Sequence, residues 1–242
     1  MKKILFLIPN ILTCLNLAMG CIAIAFAFQR DFITVFWLVI AACVFDFFDG
    51  FAARMLKAYS PIGADLDSLA DMVSFGVAPS MVLYQMLTLS FAERPLLPFV
   101  AFLIAVFSGL RLAKFNNDLR QSEEFRGLAT PASAIFVVSL GAIAILDGIY
   151  SGLLQVLSNP VVLSVIIVLL CVLMVCDLPM FSFKFKNFVF KDNIVRYLFI
   201  LFAAVVVILL KYAAPTVIIL VYILVSFFRW IFRRKPAEAK TL

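Results

Sequence analysis

Histidine is absent from the 242-residue chain. That removes the Ser-His-Asp triad, His-ligated zinc, haem on a proximal His and phosphohistidine chemistry. Acid–base or metal work must fall to Asp, Glu, Lys, Tyr or Cys. Glycine is scarce, at 9 residues. Neither G-x-x-x-x-G-K-[ST] nor G-x-G-x-x-G occurs, so the two familiar phosphate-cradling loops are missing. The five cysteines, Cys14, Cys21, Cys43, Cys171 and Cys176, form no C-x-x-C pair and sit in strongly apolar stretches. They read as small buried hydrophobes, with no zinc site and no disulfide framework. Charged residues make up only 14% of the chain, where an ordinary soluble domain carries about 25%.

Apolar residues take up the difference, at 65%. This composition belongs to a membrane protein. Runs long enough to cross a bilayer recur at about 11–29, 32–56, 65–90, 95–114, 130–149, 160–177, 194–211 and 214–232. Each is expected to be helical, because lipid offers no partner to an open backbone. The predicted fold is therefore all-α: a polytopic membrane helix bundle of about eight transmembrane helices. The chain opens on Met1-Lys2-Lys3 and an apolar stretch without a small-residue cleavage site. It reads as a short interfacial segment before Pro9 rather than a secretory signal. No repeat, low-complexity tract or linker interrupts the chain. One integral-membrane domain over 1–242 is expected, with its core at 9–211 and a basic tail at 231–242.

Charge placement sets the orientation. With the N-terminus in the cytoplasm, all 20 lysines and arginines except Arg30, Arg94 and Lys211 fall on the cytoplasmic side. The positive-inside rule favours that arrangement. The net charge of +6 then reflects topology and attraction to anionic headgroups, and calls for no nucleic acid. Two cytoplasmic loops have substance, at about 115–129 and Met180 to Asn193. The second interleaves Phe and Lys as suits a headgroup layer.

Acidic residues inside spans are costly and mark function. Asp46, Asp49, Asp65, Asp67 and Asp71 cluster at the end of the second span and the start of the third. Asp46 and Asp49 are spaced i, i+3, and Asp67 and Asp71 i, i+4, so each pair shares a helix face. A turn through Ser60, Pro61 and Gly63 makes the two helices antiparallel neighbours, and the pairs can face each other. Four converging carboxylates repel strongly unless some are protonated or cations bind. Oxygen-only ligands select hard ions such as Mg²⁺, Mn²⁺ or Ca²⁺, and two bridged ions suit phosphoryl-group displacement. Gly50, Ala53 and Gly63 lie one turn from the acids and would admit a bulky group. Arg54 can offer a forked donor to phosphate. Asp65 lies off the Asp67/Asp71 face and reads as solvated or capping. Asp147 and Asp177 read as isolated interfacial acids.

Together these residues spell Asp46-x-x-Asp49-Gly50-x-x-Ala53-Arg54, eight residues, Gly63-x-x-x-Asp67-x-x-x-Asp71. The pattern resembles, without departure, the signature of the CDP-alcohol phosphatidyltransferase family, whose members transfer a phosphatidyl or similar group from a CDP-linked lipid to an alcohol. The resemblance implies that Asp46, Asp49, Asp67 and Asp71 hold two divalent cations, Mg²⁺ or Mn²⁺. Asp71 would also be the catalytic base. Asn10, Thr13, Asp49, Gly50, Ala53, Arg54 and Gly63 would hold the CDP-lipid. Two further stretches, Gly63 to Pro79 and Arg111-Leu-Ala-Lys114-Phe115-Asn116 with Phe125-Arg-Gly127-Leu128-Ala-Thr-Pro131, resemble the integral-membrane phosphatidylserine synthase branch. One departure is Ala129, where that branch usually carries Pro. The resemblance implies CDP-diacylglycerol and L-serine as substrates, CMP as product, a likeness to homodimers, and a cytoplasmic membrane site open to the cytoplasm. Arg111 and Lys114 could meet the serine carboxylate, and Asn116 or a nearby acid its ammonium; both cations also satisfy the positive-inside rule alone. Other acceptors, glycerol 3-phosphate or an inositol phosphate, and a cation transporter are the rival readings.

Overall fold

The computed structural model describes residues 7–58, 60–90, 96–117, 126–146, 152, 156–157, 159–180 and 190–232. The expected N-terminal surface segment, most of both cytoplasmic loops, Asp147 and the basic tail beyond Phe232 lie outside the described residues. Within them the chain is mostly helical, joined by short turns, with one isolated antiparallel bridge, Arg126 to Pro179. Five helical stretches are long and apolar enough to cross a membrane, and two apolar helices are shorter. The protein is a polytopic membrane helix bundle.

Helix α1 (Leu7–Phe28) buries a narrow stripe of small and polar residues, Thr13, Asn16, Gly20, Ala23 and Ala27. Small residues let backbones approach where lipid gives no hydrophobic drive to associate. The stripe meets α2 (Phe32–Leu56) across a tight reversal at Arg30, whose φ is +60°. Asp31 caps α2 by accepting hydrogen bonds from the Thr34 hydroxyl and amide. Those two donors hold its carboxyl below the usual carboxylate range. Lys57, at φ +50°, ends α2 in the left-handed region. Ser60 then caps α3 (Pro61–Asp71) by accepting from the Gly63 amide, with Pro61 starting the helix.

A π-helical turn, Met72–Val77, joins α3 to α4 (Ala78–Ser90) in one continuous rod. This rod is the centre of the bundle: 67% of its most apolar window is buried. A 3₁₀ turn (Leu97–Phe102) leads into α5 (Leu103–Asn117), which runs back along the rod. Helix α6 (Thr130–Ala144) is buried almost throughout, and α7 (Pro160–Val175) packs on α5. Both end short of the expected limits, Ala144 against 149 and Val175 against 177.

Helices α8 (Phe190–Leu210) and α9 (Ala214–Phe232) form a peripheral hairpin. A continuous helix would hold Phe199 and Tyr222 about 35 Å apart, yet their ring centroids lie 6.3 Å apart. The chain therefore reverses at Lys211–Ala213. The reversal is pinned to α6, where Ser139 donates to the Tyr212 carbonyl and Thr216 donates to Ser139.

Two expectations change. Cys14 and Cys21 are exposed on the outer side of α1, and only Cys171 is fully buried. Lipid solvates an apolar thiol without any need for a protein core. Asp177 is not isolated: Lys114 reaches it at 2.8 Å and also donates to the Val175 carbonyl, tying α5 to the end of α7.

Candidate active site

Asp46 and Asp49 stand on the last turns of α2. The sharp reversal at Lys57 and the capped start of α3 bring Asp67 and Asp71 back against them. Carboxylate oxygens from Asp46, Asp49 and Asp67 lie within 4.8 Å of one another. Asp71 joins through Asp46, with which its carboxyl group shares a hydrogen bond. Helix α1 supplies the donors that fix the cluster. Thr13 donates to Asp49 at 2.7 Å, and the Asn16 amide donates to Asp71 at 3.2 Å. Ser74, in the π turn, donates to the Asn16 carbonyl at 2.9 Å. This contact needs Gly20, where an added Cβ would sit 2.3 Å from the Ser74 hydroxyl and 2.8 Å from its Cα.

The donor set is oxygen only, and Asp67 Oδ1 is buried without a hydrogen-bond partner. A lone pair left unsatisfied inside a cluster of like charge is a costly arrangement for the protein alone. A hard divalent cation fits both features.

Beside the carboxylates opens a cleft of about 200 Å³. Six of the seven residues expected to hold the CDP-lipid line it: Asn10, Thr13, Asp49, Gly50, Ala53 and Gly63. Arg54 is exposed on the last turn of α2 and lies outside that lining. An added Cβ on Gly50 would meet nothing within 4 Å. Gly50 therefore serves no helix contact, and its missing side chain keeps the cleft wide. Gly63 is different: a Cβ there would fall 2.9 Å from Ser60 Oγ and 3.1 Å from Asn10 Oδ1. Asp65 is exposed, as its register implies.

The two residues expected at the serine end lie on α5. Arg111 is buried, within Coulombic reach of Asp71, with its guanidinium 5.6 Å from the Phe115 ring centroid and its Nε unpartnered. Asn116 donates to Ser68, next to Asp67, at 2.9 Å. The Gly127-Leu128 stretch docks on the end of α7: Gly127 N–H donates to Leu178 O and Leu128 N–H to Leu173 O.

A family model described as CDP-alcohol phosphatidyltransferase matches residues 6–176, from the first helix to the end of α7. The chain belongs to the CDP-alcohol phosphatidyltransferase family. Curated relatives carry the name CDP-diacylglycerol–serine O-phosphatidyltransferase. The protein of that name from Helicobacter pylori (strain ATCC 700392 / 26695) is 33% identical over 230 residues, covering 94% of this chain and 92% of the relative. That from Methanocaldococcus jannaschii is 30% identical over 183 residues, 76% of this chain and 78% of the relative. That from Bacillus subtilis (strain 168) is 36% identical over 137 residues, 55% of this chain and 74% of the relative. This family member is accordingly a phosphatidyltransferase of the membrane.

Sequence reasoning passed over Asn16, Ser74, Gly20 and the cleft residues Ser60 and Ala64. Asn16 carried a usable signal. It continues the polar row Asn10, Thr13 along one face of an otherwise apolar span.

Proposed function

We propose that the protein transfers the phosphatidyl group of CDP-diacylglycerol to the hydroxyl of L-serine and releases CMP. The observation that carries this reading is the convergence of three carboxylate oxygens within 4.8 Å beside a cleft lined by the signature's small residues. The relatives' names support serine as acceptor. The Gly63–Pro79 and Arg111–Pro131 stretches, which resemble the same branch, point the same way.

Asp46, Asp49, Asp67 and Asp71 would hold two divalent cations, Mg²⁺ or Mn²⁺, which when bound would neutralise charge on the pyrophosphate and the departing CMP. Asn10, Thr13, Gly50, Ala53 and Gly63 seat the cytidine diphosphate, and Arg54 reaches a phosphate from outside the lining. Thr13 and Asn16 hold Asp49 and Asp71 in place, so the carboxylates need no reorganisation when substrate arrives. Asp71 takes the proton of the acceptor hydroxyl as that oxygen attacks the lipid-side phosphorus. Arg111 and Asn116 bind serine, at its carboxylate and ammonium respectively. The displacement is direct, with no covalent enzyme intermediate. The protein sits in the cytoplasmic membrane as a homodimer, with this site facing the cytoplasm.

The test is CMP release by purified protein given CDP-diacylglycerol, Mg²⁺ or Mn²⁺, and one acceptor from a panel of L-serine, glycerol 3-phosphate and an inositol phosphate. Serine-dependent release is the expected result. Release with a phosphate-bearing alcohol alone would keep the family and overturn the acceptor.

A further inference from the structure

A second group of buried polar side chains lies outside the cleft lining, on α5 and the start of α6. Arg111 Nε, Thr130 Oγ1 and Ser133 Oγ are all buried and all without a hydrogen-bond partner. Thr130 and Ser133 have no measurable exposure and Arg111 is 7% exposed. Buried donors in this number are not left unmade without reason.

Helix register brings them to one level. An added Cβ on Gly141 would touch Val82, so α6 faces the rod there. Thr130 and Asp71 each lie eleven residues before those partners, on helices running the same way. Eleven residues is close to three full turns, so Thr130 shares the Gly141 face. Ser133 follows one turn later. On α5, Ser108 sits against Gly76 and Gly109 against Met72, which puts Arg111 one turn further toward Asp71. Helix α6 also starts without a side-chain cap, at Ala129, leaving the positive end of its dipole over the same layer.

We infer that Arg111, Thr130 and Ser133, each buried with an unpartnered polar atom, form the seat for the carboxylate of an amino-acid acceptor and set the enzyme's choice of alcohol. The inference rests on the serine reading above. A single guanidinium flanked by two hydroxyl donors balances one carboxylate, whereas a phosphate dianion would bring excess charge into a closed apolar layer. An acceptor held there by its carboxylate has its hydroxyl beside Asp71, the group that takes its proton. A seat of this kind also explains why the hydroxyls have no partner within the protein: the substrate is the partner.

The experiment uses the full chain in detergent with Thr130→Val, Ser133→Ala and the hydroxyl-retaining Thr130→Ser. Binding is read as the rise in unfolding temperature caused by L-serine or by serinol, which lacks the carboxylate, without donor lipid. KM values for serine and for CDP-diacylglycerol come from CMP release. Thr130→Val and Ser133→Ala should each raise the serine KM about tenfold or more, leave the CDP-diacylglycerol KM within twofold, and shrink the preference for serine over serinol. Thr130→Ser should restore both. The ligand-free unfolding temperature should hold or rise, because an unsatisfied hydroxyl has been removed; a purely structural role predicts a fall. A serine-active enzyme whose variants keep the wild-type serine KM and preference would overturn the seat alone. A wild-type enzyme active only with a phosphate-bearing alcohol would overturn the serine reading and the seat with it.

Discussion

Asp71 is touched from three directions: by the Asn16 amide on α1, by Asp46 on α2, and by the field of Arg111 on α5. That placement suits a base that must be near both the donor phosphorus and the acceptor. Asp71→Asn keeps the shape and the hydrogen bond but cannot accept a proton, so kcat should fall by about 10²–10⁴, measured as CMP release. Retention of full activity would remove Asp71 from that role. Asn16→Ala withdraws a buried donor from Asp71. The expected result is a kcat loss of about ten- to a hundredfold with little change in either KM, since one hydrogen bond to a charged group contributes about 1.5–3 kcal/mol. The four acids were legible because their i, i+3 and i, i+4 spacing is a local property of the chain. The polar row Asn10, Thr13, Asn16 was also local, but the role of Asn16 was not legible, because its partner Asp71 lies 55 positions away.

At the scale of elements, the loop before α6 is held by one glycine. Gly127 has φ +73°, and an added Cβ would stand 2.6 Å from the Met174 carbonyl. Gly127→Ala therefore incurs both a left-handed backbone penalty and a backbone clash, and should destabilise by about 1–3 kcal/mol or more. A lowered unfolding temperature in detergent checks this. Lys114→Ala tests the neighbouring tie. Its ion pair to Asp177 is exposed, so the loss should be at most about 1 kcal/mol. The π turn was not legible in sequence, because it depends on how Met72–Val77 meets α1, α5 and α6 rather than on any residue preference. Long apolar runs located the helices, yet the short end of α7 goes with tertiary contacts there, the Gly127–Leu128 docking and the Lys114 bond to the Val175 carbonyl.

At the scale of the whole molecule, composition and the apolar runs were enough to specify a membrane helix bundle, because a bilayer leaves the backbone so few options. The proposed orientation rests on where the lysines and arginines fall. It predicts that a cysteine placed at Asn116 reacts with a membrane-impermeant maleimide only from the cytoplasmic side, and one at Arg30 only from the other; reversed labelling would refute it. The signature at the junction of α2 and α3 is conclusive for the family, whereas the proposed acceptor seat draws on side chains from both α5 and α6, which no local spacing reveals. The central claim is serine-dependent, cation-dependent phosphatidyl transfer at the Asp cluster. CMP release from CDP-diacylglycerol with L-serine tests it most directly, run with and without EDTA and with Asp67→Asn. The account predicts release by the wild-type protein, and its abolition both by EDTA and by the substitution. Release that persists in EDTA or in Asp67→Asn, or no release with serine, would contradict it.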